Sequence, residues 1–160
     1  MFSLVNPMRV CDTGTMTATA KMKQALRNVF KRHNVVVAYL FGSVARHSAG
    51  PKSDVDIAVL FSRPADSVEA GMKRSSALSS ALEDAIGRTV DLIDLEEVHS
   101  PLLRHRAIRR GELLYSTDHD YRRQLEQKAL HEFEDTRYLR AVQMRALKKR
   151  ITEGTFGKPL

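Results

Sequence analysis

Cysteine is nearly absent from this chain, and tryptophan is absent altogether. The single thiol, Cys11, has no internal partner, so no disulfide holds the fold. Nor does any Cys/His cluster have the spacing of a zinc site. Such scarcity of cysteine fits a reducing compartment, and the cytoplasm is the expected location. Aromatic residues make up only 6% of the chain and do not interleave with its basic clusters. That excludes a stacking platform for single-stranded nucleic acid. No apolar run approaches the roughly 20 residues of a membrane span. The opening Met1-Phe2-Ser3-Leu4-Val5 is cut short by Asn6-Pro7 and lacks a basic start, so it does not read as a signal peptide. Acidic residues are the minority, 19 against 26 lysines and arginines, for a formal charge of +7. The imbalance favours acidic partners, whether nucleotides, DNA or an acidic protein. The positive charge gathers late: Arg104, Arg106, Arg109 and Arg110, then Arg122 and Arg123, then Arg145, Lys148, Lys149 and Arg150.

What is present is organised around two short stretches. The first is Val35-Val36-Val37-Ala38-Tyr39-Leu40-Phe41, a continuous apolar run of the kind covered on both faces of a sheet. Gly42-Ser43 ends it. Glycine permits a tight turn and a close approach by a ligand, since no Cβ intervenes. Ser43 adds a hydroxyl and is placed to cap a short helix whose free N–H groups could hold an anion. After ten further residues comes Asp54-Val55-Asp56-Ile57-Ala58-Val59-Leu60-Phe61, a second strand headed by two carboxylates. Strand side chains alternate, so Asp54 and Asp56 point the same way with Cα atoms about 6.6 Å apart. Carboxylates that close repel unless a cation lies between them, and Mg²⁺ prefers one or two carboxylates plus phosphate oxygens. A lone Gly-Ser is an ordinary turn and a lone Asp-x-Asp an ordinary solvated strand end. Joined by this spacing, they point to a metal–phosphate site.

Gly42-Ser43, ten residues, then Asp54-x-Asp56 resembles the signature of the DNA polymerase β-like nucleotidyltransferase superfamily. Gly42-Ser43-Val44-Ala45-Arg46 in a short chain resembles its minimal nucleotidyltransferases, among them the MntA-type antitoxins paired with HEPN toxins. The resemblance covers about residues 20 to 115. His47 departs from it, standing where related sequences often carry glycine.

The remaining chain reads as alternating elements. Residues 1–19 form a loose leader. Lys21 to Arg32 is an amphipathic helix with Met22, Ala25, Leu26, Val29 and Phe30 on one face. Val44 to His47 reads as a short helix and Ser48 to Ser53 as a loop marked by Gly50-Pro51. Arg46 and Lys52 stand where they could reach phosphate oxygens. Asp66 or Ser67 caps a helix running to about Ile86, with Val68, Met72, Leu78, Ala81, Leu82 and Ala85 as its buried stripe and Gly87 as its stop. Thr89 to Leu95 is a third strand. Ser100 caps a helix with Pro101 at its first position, and Gly111 stops it. Glu112 to Tyr115 is a short closing strand. One long, basic helix is expected from Thr117 to about Lys149, with a tail after it. The domain expectation is therefore a leader (1–19), a core (20–116), a C-terminal helix (117–150) and a tail (151–160). The fold class is α+β, a small mixed sheet with packed helices. The last helix is long enough to pack on the sheet, to self-associate or to dock a partner.

The resemblance implies further chemistry. A hydrophobic-Asp-hydrophobic strand in the superfamily brings a third carboxylate beside the Asp-x-Asp pair, and Val90-Asp91-Leu92 matches it. Asp94, near the strand end, is the competitor and suits a structural role. The implied reaction is nucleotidyl transfer with two Mg²⁺ ions, held by Asp54, Asp56 and Asp91. Gly42 and Ser43 would take the β- and γ-phosphates of ATP, with Arg46 and Lys52 as further nucleotide-binding cations. In MntA-like antitoxins AMP goes to a tyrosine of a HEPN toxin. The toxin's own Arg-x4-His-x-Tyr motif is absent here, so the partner would be a separate chain. The rival readings are a small-molecule, aminoglycoside-type nucleotidyltransferase and a non-catalytic module that binds a toxin or DNA.

Overall fold

The computed structural model describes residues 20–46, 48, 50 and 53–154. The expected leader and most of the expected tail lie outside these residues. The elements run α1 (Ala20–Arg32), β1 (Val35–Phe41), α2 (Gly42–Ala45), β2 (Val55–Phe61), α3 (Val68–Ile86), β3 (Val90–Asp94), α4 (Pro101–Arg109), β4 (Glu112–Ser116), α5 (His119–Asp135) and α6 (Arg137–Thr152). The four strands form one mixed sheet in the order β3-β2-β1-β4. β1 is antiparallel to both β2 and β4, whereas β2 and β3 are parallel and joined through α3. The α+β class with a mixed sheet is thus as the sequence implied. Among the described residues, no helix is long and apolar enough to cross a membrane.

The alternation of side chains along β2 splits the core in two. Val55, Ile57, Val59 and Phe61 pack with Leu26, Val29 and Phe30 of α1 and with Leu78, Leu82 and Ile86 of α3. Ala58 and Leu60 face the other way and pack with Val37 and Tyr39 of β1, Ala107 and Ile108 of α4, and Ala129 of α5. Helices therefore cover both faces, which explains why β1, and β2 beyond Asp56, are apolar. The chain punctuation follows the residues that require it. Asn34 turns α1 into β1 at φ 56°, a conformation asparagine tolerates. Ser67 caps α3 by accepting from the Ala70 N–H, and Ser100 caps α4 by accepting from the Leu103 N–H. Gly87 closes α3 at φ 74°.

Four expectations are corrected. Val68 and Met72 are 79% and 68% exposed instead of buried. Met72 lies roughly 120° around the helix from Leu78, and Val68 precedes Gly71, the first buried position of α3. The short helix spans Gly42–Ala45 and not Val44 to His47, with Arg46 at its end. Ser43 lies inside that helix, which begins after Phe41 without a side-chain cap, so Ser43 caps nothing. The long C-terminal helix is two helices broken at Thr136. The Thr136 hydroxyl donates to the carbonyl oxygens of Glu132 (3.0 Å) and Phe133 (3.1 Å), competing with the helical ladder at that point.

A partly buried ion pair locks α3 to the end of β3. Arg74 Nη2 lies 2.7 Å from Asp94 Oδ2, and its Nη1 donates to the Arg63 carbonyl at 2.7 Å. The guanidinium also sits 3.9 Å above the Phe61 ring. The other Asp94 oxygen accepts from the Glu96 N–H at 2.9 Å. Removing one partner leaves the other charge uncompensated, so Asp94→Ala should cost about 2–3 kcal/mol in urea unfolding. Asp91→Ala, at an exposed position, should change stability by less than about 0.5 kcal/mol. Equal losses for the two variants would show that Asp94 is not the structural carboxylate.

Candidate active site

The site is built at the end of the sheet where β1 finishes and β2 and β3 begin. Phe41, the last residue of β1, is paired in register with Asp56 of β2. The chain must then turn sharply over Asp56, and it does so through Gly42 at φ 71°. A Cβ on Gly42 would lie 1.8 Å from Asp56 Oδ2, so both the backbone conformation and the carboxylate exclude any side chain here. The Ser43 backbone N–H donates to the Asp56 carboxylate. The Gly-Ser turn therefore wraps a catalytic-type carboxylate as well as facing whatever that carboxylate binds.

Parallel pairing supplies the second carboxylate. Asp56 and Asp91 are direct Cα partners across β2 and β3, on strands about 4.8 Å apart. Alternation gives the face: Val55 and Ile57 point to α1 and α3, so Asp54 and Asp56 point to the opposite side with Ala58. Asp91 shares that side with Ile93, which packs in the α4/α5 core, whereas Val90 and Leu92 belong to the other core. Asp54, Asp56 and Asp91 are thus brought to one face at one end of the sheet. Asp94 is on the opposite face, buried against Arg74.

Crowding of like charge is visible in Asp56, whose pKa is raised. Burial is the largest cause, followed by the charge of Asp91. The Ser43 N–H works against them, Asp54 adds to the rise and Arg46 offsets part of it. An all-oxygen donor set with unrelieved negative charge fits a hard divalent cation. Among the described residues, no three His, Cys, Asp or Glu side chains close into a ready-made cage. The arrangement is open, as suits a cation that completes its shell with substrate phosphate and water. Two clefts of about 490 and 180 Å³ flank α5, and neither is lined by Gly42, Ser43 or the three carboxylates, which sit on a shelf at the end of the sheet.

Arg46 is exposed at the end of α2, within electrostatic reach of Asp56. Lys52 and His47 lie outside the described residues. One contributor was not legible in the sequence. Arg88, in the turn before β3, donates to the carbonyl oxygens of Gly50 and Ser53. With the Val55 N–H donating to the Thr89 carbonyl at 2.9 Å, it ties down the residues leading into Asp54. No local pattern marks such an arginine, because its partners are 35 and 38 residues away.

The sequence matches the family model "Polymerase beta, Nucleotidyltransferase" over residues 24–120. The chain belongs to this nucleotidyltransferase family. Its fold is similar to a chain of a toxin–antitoxin complex with AMP-PNP, with a TM-score of 0.63 and 23% identity, covering 79% of this chain and 98% of that one. It is similar to a chain of the MntA–HepT toxin–antitoxin complex, with a TM-score of 0.63 and 21% identity over 81% of this chain and 99% of that one. A third similar structure is a tri-AMPylated HEPN toxin from Shewanella oneidensis in complex with MNT antitoxin, with a TM-score of 0.59 and 22% identity over 80% and 97% of the respective chains. No curated protein matches the sequence.

The raised pKa of Asp56 fixes the sign of a stability test. Ionised Asp56 costs the fold stability. The cost is absent while the group is protonated in both states and sets in as pH rises through the ordinary carboxylate range to the higher folded value. Asp56→Asn should therefore raise the thermal midpoint at pH 7 without metal, and the gain should vanish toward pH 3. Mg²⁺ should stabilise the wild type and do so less in the variant. An equal response of both to Mg²⁺ would remove Asp56 from the metal site.

Proposed function

We propose that this nucleotidyltransferase moves AMP from ATP to a hydroxyl, a tyrosine, on a separate HEPN-type toxin chain in the cytoplasm, and that this neutralises the toxin. The observation that carries the reading is the convergence of Asp54, Asp56 and Asp91 on one face beside the Gly42-Ser43 turn. Support for a protein acceptor comes from the likeness to nearly the whole length of chains in toxin–antitoxin complexes.

Asp54, Asp56 and Asp91 would hold Mg²⁺, as two ions. The ions would supply neutralisation of the triphosphate and activation of the acceptor oxygen. Gly42 leaves the backbone bare for the approaching phosphates. The Ser43 hydroxyl, free of any capping role, is the group offered to the β- and γ-phosphates, since its N–H is engaged by Asp56. Arg46 and Lys52 add positive charge beside the triphosphate. The acceptor oxygen forms a bond to the α-phosphorus, the bond to the β-phosphate oxygen breaks, and pyrophosphate leaves. Asp91, the exposed carboxylate on β3, helps to take the acceptor proton. Arg88 keeps Asp54 in register through the loop it anchors.

The test uses ATP labelled at the α or the γ phosphate, Mg²⁺, and a purified HEPN-type toxin protein as acceptor. Label from the α position alone should appear on the acceptor, and Asp56→Asn should lower the rate about a thousandfold, the several kcal/mol expected of a metal ligand. Label from the γ position, or transfer undiminished in the variant, would overturn the assignment. Transfer to small hydroxyl compounds and not to the protein would replace the acceptor.

A further inference from the structure

The family match ends at residue 120, and the last helix lies wholly beyond it. α6 spans 16 residues and buries none of them. Tyr138, Leu139, Met144 and Ile151 are all more than half exposed, with Val142 and Leu147 close behind. The root of the helix is fixed. His105 of α4 stacks on Phe133 of α5 with ring centroids 4.0 Å apart, and the Arg140 guanidinium lies 3.7 Å over the same Phe133 ring. Arg140 also donates to the Phe133 carbonyl and the Thr136 hydroxyl. Past that anchor, no side chain of the helix is buried by the described residues.

A helix of this length without tertiary cover is marginal in water. Its charge makes matters worse. Between Arg137 and Thr152 there are six lysines and arginines and no acidic residue. Arg145 stands at i,i+3 and i,i+4 to Lys148 and Lys149, a repulsive spacing. Such a segment lacks two things, apolar cover and negative charge. We propose that α6 is a docking helix that lies in an apolar groove with an acidic rim on the protein acceptor. This rests on the reading that the acceptor is a protein.

Charge decides between occupants. A second copy would set this basic helix against an equally basic one. A nucleic acid duplex would satisfy the cations but leave Leu139, Met144 and Ile151 in water. A lipid surface demands segregated faces, yet at roughly 100° per residue Arg140 falls between Leu147 and Ile151, inside the apolar arc. A groove with acidic side chains at its edge accommodates both kinds of side chain along the roughly 24 Å of helix. It also places the acceptor chain against α5 and α6 while the carboxylate shelf stays open to receive a side chain from it.

The experiment measures binding of the full chain to the HEPN-type toxin used in the transfer assay, by calorimetry, alongside that assay. Two variants are compared with wild type: Leu139→Asp with Met144→Asp, and Lys148→Glu with Lys149→Glu. Each should weaken binding at least about tenfold and raise KM for the protein acceptor, with kcat at saturation unchanged. The thermal midpoint and the stabilisation by ATP should stay near wild-type values, since Leu139, Met144 and Lys148 are exposed and Lys149 makes only an exposed ion pair with Glu153. Added salt should weaken wild-type binding more than that of the lysine variant. Variants that bind like wild type overturn the proposal. So does absence of any wild-type complex, a dimer of this chain that the Leu139/Met144 variant dissolves, or α6-dependent binding to anionic phosphatidylglycerol vesicles. Binding that depends on α6 without label transfer sinks the proposed reaction and leaves the docking helix standing. Transfer that ignores the α6 changes does the reverse.

Discussion

Asp56 and Asp91 are held side by side on neighbouring parallel strands, with Asp54 two residues away on the same face. Repulsion between them works against the fold, and the rest of the sheet is arranged to withstand it. β2 is buried on both sides by two separate cores, so it cannot slide or twist to separate the charges. Pairing of β1 on its other edge fixes Phe41 opposite Asp56 and so fixes where Gly42 must turn. The Ser43 N–H gives the crowded carboxylate one internal partner. Unrelieved negative charge of this kind suits a hard divalent cation.

Two aspartates in one five-residue strand show how burial sorts identical chemistry. Asp94 is enclosed, and enclosure forces it to take Arg74 as a partner. Asp91 is exposed and remains available. Side-chain alternation along β3 does the sorting, because positions 91 and 94 differ by an odd number and must fall on opposite faces. That the two fall on opposite faces was legible from the chain alone, once the strand was recognised; the preference for Asp91 came from the family resemblance. The strands, the Gly-Ser turn, Ser100-Pro101 and the Gly87 stop were legible for a similar reason. Each is dictated by residues adjacent in sequence.

What was not legible depends on distance or on competition. Arg88 finds its carbonyl partners only because two strands far apart in the chain run parallel. The break at Thr136 follows from a hydroxyl competing with a backbone amide, a contest settled by a few tenths of a kcal/mol that periodicity does not register. Met72 looked apolar and helical and was assigned to the core, although its angular position puts it outside the stripe. Ser43 was expected to cap because serine commonly does. Here the need to turn over Asp56 starts the helix one residue earlier, at Gly42, and frees the hydroxyl for another use.

The openness of the shelf has to be understood together with the bareness of α6. An enzyme acting on a small acceptor must enclose it, since enclosure is how orientation and exclusion of water are achieved. Among the described residues, neither cleft beside α5 reaches the carboxylates. A protein acceptor changes the requirement. Once docked through a second surface, its hydroxyl is presented at an effective concentration set by the geometry of the complex and not by diffusion. Orientation then comes from the interface, and the partner's own surface covers the shelf. A helix that is basic and apolar, and idle in the monomer, is what such a division of labour requires. Its cost in the free chain is an exposed and self-repelling segment, which the acidic partner would relieve in the same step that delivers the substrate.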